Sequence, residues 1–207
     1  QSLDGKTALE NGRSQWITGS AARQDVQRLR ARSCAVVTGV DTVIADDPAM
    51  SVRAADLDSE YAELAAVIRR PIVVLDSNGR FPLQAKLNGN PNLIVMSAAQ
   101  REALGAHCVA QPLNSKGQID LPQLLQFLVE NEDCSEVLFE CGATLAGSML
   151  QLGLVDELVL YIAPKLMGSS ARSLLHLGPF TEMDQVLEMK QTDMRMVGSD
   201  IRLTLTK

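Results

Sequence analysis

The 207-residue sequence predicts an α/β fold of three layers: a mostly parallel central sheet, helices on both faces, and an antiparallel C-terminal hairpin along its edge. The first observation is that short apolar runs, typical of buried parallel strands, alternate with amphipathic helical segments. The second is the alternation of apolar and polar residues over Val186–Val197 and Ile201–Thr206, on either side of Gly198-Ser199-Asp200. This alternation predicts the hairpin.

The first half of the chain opens with a helix. Ser20 is a residue type that favours helix N-caps, and Ala21–Arg32 follows it with an apolar face. The further elements predicted in order are a strand at Ala35–Thr38, a turn or short helix at Thr42–Pro48 stopped by its proline, some helical pattern around Tyr61–Ile68, a buried strand at Pro71–Asp76 and a turn at Ser77–Arg80.

The second half continues the alternation of strands and helices. Asp120 is an N-cap for the amphipathic helix Leu121–Glu130, whose leucines share one side. The other predicted elements are a strand at Leu93–Met96, a helix over Ala98–Leu104, a short strand near Cys108-Val109, a strand at Val137–Phe139, a helix at Thr144–Leu150 and a strand at Glu157–Ile162 that ends at Pro164.

The unit Val137–Leu150 is the strongest local indication of a ligand site. A strand that ends in a small-residue turn and opens a helix presents free backbone N–H groups, which attract an anion such as a cofactor pyrophosphate. Glu140 stands at the mouth of this turn, where a carboxylate can accept hydrogen bonds. The alternative is that Gly142 and Gly147 only ease helix–sheet packing, because the motif is neither a full G-x-G-x-x-G nor a P-loop.

In open α/β sheets, ligands bind outside the carboxyl ends of the strands. This rule gathers the polar strand ends into one predicted crevice: Thr38/Gly39, Asp76/Ser77, Ser97, Glu140/Gly142 and Pro164.

Composition excludes several classes of function. The net charge of −6, without a Lys/Arg run, argues against nucleic-acid binding, and no apolar run is long enough to span a membrane. Four cysteines without C-x-x-C spacing and only two histidines predict no metal site. We interpret the cysteines as reduced thiols of a cytoplasmic protein.

Several segments together resemble the reductase domain of the riboflavin-biosynthesis bifunctional deaminase–reductases, the RibD family, whose fold is similar to dihydrofolate reductase. The segments occur in order: Ser2-Leu-Asp-Gly-Lys-Thr-Ala8, Ser14-Gln-Trp-Ile-Thr18, Arg30, Thr42-Val-Ile-Ala-Asp-Asp-Pro48 with Arg53, Leu75-Asp-Ser77 with Arg80, and Glu140-x-Gly-x-Thr-Leu145. By this resemblance residues 1–207 are a single reductase domain truncated at its N-terminal strand, without the upstream deaminase domain and its zinc site.

The resemblance implies an activity. Family members use NADPH to reduce the ribosyl side chain of 5-amino-6-(5-phosphoribosylamino)uracil, a phosphorylated pyrimidine ribosylamine, to a ribityl chain, and they form homodimers. The ribosylamine can open to an imine, and a hydride delivered to the imine carbon gives the ribitylamine. Because the cofactor carries this chemistry, the protein needs no histidine, triad or metal, and we assign no residue as acid or base.

The resemblance also implies site residues. The positions that match substrate contacts are Ser14, Arg30, Met50, Arg53 and Glu140. The positions that match cofactor contacts are Trp16, Thr42, Asp46, Ser77 and the turn Gly142, Ala143, Thr144, Leu145, Ala146, Gly147 and Ser148. We expect the guanidinium forks of Arg30 and Arg53 to grip the substrate phosphate, and spacing adds Arg80 as a partner of Ser77 for a 2′-phosphate.

Two alternatives remain open at this point. One is a pterin or dihydrofolate-type reductase, which needs an acidic group buried on a helix, and residues 20–32 do not show one clearly. The other is a non-catalytic dinucleotide-binding domain that keeps the fold without turnover.

Overall fold

The computed structural model describes all residues 1–207, and the chain divides into two compact units. The central unit is Gln27–Gly142, and the terminal unit combines Gln1–Val26 with Ala143–Lys207. No helix combines the length and the apolar content that crossing a membrane requires.

In chain order the elements are β1 (Lys6–Ala8), α1 (Ser20–Arg32), β2 (Ala35–Gly39), α2 (Val40–Asp46), α3 (Ala62–Val67), β3 (Ile72–Asp76), β4 (Leu93–Ser97), β5 (Cys108–Ala110), α4 (Leu121–Glu132), β6 (Val137–Phe139), α5 (Ala143–Gln151), β7 (Glu157–Ile162), β8 (Arg172–Ser173), β9 (Lys190–Val197) and β10 (Asp200–Thr206). Short 3₁₀ segments lie at Ala54–Asp56, Lys86–Gly89, Glu102–His107 and Met183–Gln185.

The central unit is built on a five-stranded parallel sheet in the order β5-β4-β3-β2-β6. Strands β2 and β3 each contain two adjacent valines, and β4 is Leu-Ile-Val-Met-Ser. Nearly all residues of these strands are buried, as expected for strands covered on both faces. Asp76 and Ser97 lie side by side where β3 and β4 end. The predicted parallel sheet is confirmed, and so is the meeting of these two strand ends.

The helices of the central unit follow the sequence signals closely, with one exception. The Asp120 side chain accepts a hydrogen bond from the Gln123 N–H at 3.0 Å, so the predicted cap of α4 is confirmed. The helix predicted over Ala98–Leu104 is wrong: the chain forms a 3₁₀ segment at Glu102–His107 instead. Gly105, with φ of 53°, interrupts the helical backbone, and Leu104 is the only buried side chain that would hold such a helix.

In the terminal unit, β10 lies between β7 and β9 in an antiparallel sheet, and β1 pairs with β8. The predicted hairpin is confirmed, although β9 begins at Lys190 and not at Val186. The expectation that the hairpin extends the parallel sheet as its edge is wrong, because the hairpin and β7 form a separate three-stranded sheet. Their hydrogen bonds run between antiparallel neighbours, and β10 is already paired along both of its sides.

Candidate functional site

Arg30 and Glu140 form a two-pronged ion pair in the central unit. Arg30 Nε donates to Glu140 Oε1 at 2.6 Å, and Nη2 donates to Oε2 at 2.8 Å. Only 11% of the arginine side chain and 23% of the glutamate side chain are exposed. Arg30 lies in the last turn of α1, and Glu140 follows β6 directly, with its N–H bonded to the Val37 carbonyl at 3.0 Å. Such a fork fixes the orientation of both groups.

Two further contacts complete the surroundings of Arg30. Its Nη1 donates to the Ser51 carbonyl at 3.1 Å, and its Nη2 lies 3.6 Å from the Met50 sulfur. Three of the five predicted substrate positions, Arg30, Met50 and Glu140, are therefore brought together by the fold. The carboxylate oxygens of Glu140 keep lone pairs for further donors, because each can accept two hydrogen bonds.

Arg53 belongs to the loop that carries Met50 and Ser51, but its side chain is far more exposed than that of Arg30. Its main-chain N–H donates to Gln27 Oε1 at 2.9 Å, and its Nε pairs with Asp56 at 2.5 Å. An exposed ion pair of this kind contributes little stability, so the guanidinium can exchange Asp56 for another anion. The two arginines therefore differ, since Arg30 is committed to Glu140 while Arg53 can take a new partner.

Cys141 follows Glu140 and is not a nucleophile at neutral pH. Burial, and secondarily the charge of Glu140, raise the pKa of its thiol to about 12. The thiol therefore stays protonated at neutral pH.

The turn after β3 is held by a buried carboxylate. Asp76 accepts hydrogen bonds from the N–H groups of Arg80 and Phe81, both at 2.7 Å. The Ser77 hydroxyl accepts the Ile119 N–H at 3.0 Å, which leaves its own hydrogen available to donate. The Arg80 guanidinium pairs with Asp41 at 2.9 Å, and this hydrogen bond and charge raise the pKa of Arg80.

Thr42 and Asp46 are four residues apart on α2, so they lie on the same side of that helix. Asp46 is exposed and Thr42 half-buried. The neighbouring Asp47 has a structural task, because it accepts the Lys86 N–H at 2.9 Å and pairs with the Lys86 ammonium at 3.4 Å.

The two glycines of the predicted cofactor turn have different environments. A Cβ at Gly147 would lie 2.0 Å from the His176 carbonyl oxygen, so α5 needs glycine there for packing. A Cβ at Gly142 would meet nothing within 4 Å. Thr144 lies 3.1 Å from the His176 ring, and the Ser148 hydroxyl is bonded back to the Thr144 carbonyl.

The first turn of α5 has the features of an anion-binding site. Its opening N–H groups, at Ala143, Thr144 and Leu145, have no partner within the helix, as at any helix start. Gly142 precedes them in the chain and has no side chain that could cap them. These residues therefore fit a pyrophosphate, whereas Gly147 is fully used in packing.

Trp16, in the terminal unit, offers an open aromatic surface. The residue is 66% exposed, and the Arg23 guanidinium lies 4.5 Å from the ring centroid. Its carbonyl accepts a hydrogen bond from the Lys165 ammonium at 2.7 Å, which fixes the loop. Ser14 lies half-buried in the same loop.

Asp25 bears on the pterin alternative, because it is a buried acid on α1. Its carboxylate accepts the Tyr161 hydroxyl at 2.7 Å and lies 3.2 Å from Arg202 Nε. Burial first, and then the hydrogen bond to Asp25, raise the pKa of Tyr161. Because the charge of the Asp25 carboxylate is already neutralised by the buried guanidinium of Arg202, Asp25 does not provide the acidic group that a pterin substrate needs.

Sequence reasoning missed Gln27, Asp25, Arg202 and Arg101. Gln27 is 2% exposed yet polar, and no periodicity distinguishes it from a surface residue of α1. For Arg202 the sequence did carry a signal, because Asp200, Arg202 and Thr204 alternate with apolar residues along β10 and therefore share one face of the strand. The structure shows that all three are buried.

Comparison with known proteins gives the family. Residues 1–203 match the family model described as RibD C-terminal domain. The chain is 40% identical to the riboflavin biosynthesis protein RibD of Escherichia coli (strain K12), over 99% of this chain and 57% of that protein. It is 32% identical to the 5-amino-6-(5-phosphoribosylamino)uracil reductase of Buchnera aphidicola subsp. Acyrthosiphon pisum, over 96% of this chain and 98% of that protein.

Solved structures agree with this match. Acinetobacter baumannii RibD superposes with a TM-score of 0.85 at 42% identity, over 99% of this chain and 55% of that one. A Saccharomyces riboflavin biosynthesis reductase has a TM-score of 0.73 at 20% identity, over 100% of this chain and 85% of that one, and so shares the fold. The predicted fold class, a mostly parallel sheet with helices and an antiparallel C-terminal hairpin, is confirmed, apart from the placement of the hairpin along the edge of that sheet. The chain spans a little over half the length of the RibD proteins it matches, and it belongs to the family of RibD C-terminal domains.

Proposed function

We propose that this chain reduces the ribosyl side chain of 5-amino-6-(5-phosphoribosylamino)uracil to the ribitylamino product, with NADPH as reductant, as a step of riboflavin biosynthesis. Family membership supports this, as does the reductase named above that matches along nearly its whole length. The structural observation that carries the proposal is the ion pair of Arg30 with Glu140, beside Met50. A mostly buried carboxylate held by a fork is a preorganised acceptor for a polyhydroxylated substrate.

The residues of the central unit have separate tasks in this proposal. Arg30 holds Glu140 in place, and Glu140 accepts hydrogen bonds from a sugar hydroxyl or from the pyrimidine. Arg53 grips the substrate phosphate, because its exposed guanidinium can exchange the single carboxylate of Asp56 for a dianion. Met50 supplies apolar contact next to the ion pair, and Ser14 is proposed as a further substrate contact because it matches the family motif.

NADPH supplies a hydride when it is bound, and the chain supplies binding, orientation and exclusion of water. The N–H groups at the start of α5 and the open position at Gly142 fit its pyrophosphate. Trp16 offers a flat ring, Ser77 a hydroxyl donor at the end of β3, and Thr42 with Asp46 a polar side of α2. Of the seven-residue turn, Gly142–Leu145 are the residues proposed to contact the cofactor, together with Ala146, while Gly147 and Ser148 support the helix.

A homodimer is part of the proposal. One side of the antiparallel sheet is apolar across all three strands, at Leu158, Leu160, Ile162, Met194, Met196, Ile201, Leu203 and Leu205. Met194 and Met196 are 62% and 63% exposed. A second copy offers the same apolar surface, so a symmetric contact would cover both. Sedimentation of the parent chain and of Met196→Lys tests this, and a parent chain that stays monomeric at micromolar concentration would count against it.

The proposal also takes residues 1–207 as one reductase domain, distinct from any deaminase activity, acting in the cytoplasm. The four cysteines are free thiols, as that setting requires.

The experiment for this function follows NADPH oxidation by absorbance, with the phosphoribosylaminouracil and with dihydrofolate as competing substrates. We expect NADPH oxidation that depends on the phosphoribosylaminouracil and none above background with dihydrofolate. Oxidation that depends only on the pterin would favour that alternative. NADPH binding without turnover of either would favour a non-catalytic dinucleotide-binding domain.

A further inference from the structure

Arg101 lies beside the turn that follows β3. Its Nη1 is 3.4 Å from Asp76 Oδ2 and donates to the Phe81 carbonyl at 3.2 Å. Asp76 and Phe81 belong to the segment that forms the Ser77–Arg80 turn, so Arg101 is attached to this turn from the side of β4. A Cβ at Gly79 would meet the Arg101 side chain at 3.7 Å, which shows how closely the two approach.

Only one of the three guanidinium nitrogens of Arg101 has a hydrogen-bond partner. Both side-chain contacts of Arg101 engage Nη1, and Nε and Nη2 make no hydrogen bond within the chain. The side chain is 25% exposed, so it is neither sealed in the core nor free in solvent. A fork with free donors and a fixed stem is the arrangement that binds a phosphate with little loss of side-chain entropy.

Arg80, the arginine that sequence spacing favoured, is less suited to this task. Its Nη1 pairs with Asp41 at 2.9 Å, and both side chains are largely exposed. Its fixed part is the main-chain N–H, which is bonded to Asp76, and not the guanidinium.

We propose that Arg101, and not Arg80, recognises the 2′-phosphate of the cofactor and gives the chain its preference for NADPH over NADH. Ser77 shares this phosphate through its hydroxyl hydrogen, since its oxygen already accepts the Ile119 N–H. The carboxyl ends of β3 and β4, where Asp76 and Ser97 are paired, are where ligands of open α/β sheets bind. This inference rests on the proposed function, because it concerns the same nucleotide.

The test compares matched arginine variants by calorimetric titration with NADPH and NADH. Arg101→Gln should weaken NADPH binding about 10- to 100-fold, the usual effect of losing charged hydrogen bonds, and change NADH binding less than about twofold. Arg80→Gln should leave both affinities within about twofold. Because Arg101 pairs with the buried Asp76, Arg101→Lys serves as a second variant that keeps the charge and loses the fork. We expect Arg101→Lys to lose part of the preference for NADPH.

Each result is decisive. An unchanged ratio of NADPH to NADH affinity in both folded Arg101 variants, or a loss of that ratio in Arg80→Gln alone, overturns this inference and leaves the proposed function standing. Equal weakening of both cofactors by Arg101→Lys assigns Arg101 to the fold and also overturns it. If the parent chain binds neither nucleotide, the proposed function and this inference fail together.

Discussion

Arg30 and Glu140 meet through two parallel hydrogen bonds of 2.6 and 2.8 Å, although their positions in the sequence are 110 residues apart. Removing one partner leaves a mostly buried charge without its counterion. We expect Arg30→Met to lower the free energy of unfolding by about 3 kcal/mol. Arg30→Met combined with Glu140→Leu should recover part of that loss. Urea denaturation of the single and double variants measures this coupling, and additive effects would mean that the pair contributes no coupling energy.

Substitution by alanine should destabilise the protein at Gly147 and leave its stability nearly unchanged at Gly142. Gly147→Ala places a methyl group where the His176 carbonyl lies, so we expect a large loss of stability, on the order of 3 kcal/mol, or failure to fold. Gly142→Ala meets open space and should change the melting temperature by no more than about 2 °C, as for a neutral surface change. Thermal unfolding of both variants provides the check. Similar melting temperatures for the two would refute the packing role of Gly147.

The elements of this fold were predictable where one local rule decides them. Asp120 caps α4, the valine-rich runs form buried parallel strands, and Gly198-Ser199 turns the hairpin. The 3₁₀ segment at Glu102–His107 was not predictable, because the apolar residues nearby fit an α-helix equally well.

The candidate site divides in the same way. Family motifs indicated Arg30, Met50 and Glu140, and the structure groups these three. Nothing in the sequence could indicate that the guanidinium of Arg30 forms an ion pair with Glu140, because ion pairs between distant segments depend on the tertiary fold. The same reason hid the contact of Arg101 with Asp76.

Arg53 should matter only for substrates that carry a phosphate. Its exposed guanidinium is the arginine fork near Met50 that is free to exchange partners, so Arg53→Ala should weaken ribose 5-phosphate binding about 10- to 100-fold. Binding of plain ribose and of NADPH should not change. Arg69→Ala is the matched control, because Arg69 is equally exposed and pairs with Glu132. Equal weakening of the phosphorylated and plain sugars, or of neither, would remove Arg53 from the phosphate site.

The cysteines should differ in reactivity because their pKa values differ. Hydrogen bonds from Glu136 and Ser135 lower the pKa of Cys34, whereas burial raises the pKa of Cys134 to about 11 and that of Cys141 to about 12. Since the thiolate is the reactive form, alkylation by iodoacetamide at about pH 8 should modify Cys34 first. The alkylation rates of Cys134 and Cys141 should continue to rise at pH values at which the rate for Cys34 no longer increases. Peptide mass spectrometry over a pH series measures the order, and faster labelling of Cys141 would contradict the assignment.

Product analysis of Glu140→Gln beside the parent chain tests the central claim most directly. Each is incubated with NADPH and 5-amino-6-(5-phosphoribosylamino)uracil, and the pyrimidine product is identified by mass spectrometry. We predict that the parent forms the ribitylamino compound, heavier by two hydrogens, and that Glu140→Gln forms it at least about 100-fold more slowly while NADPH affinity stays unchanged. No reduced product from the parent, or equal rates for the two proteins, would contradict the account.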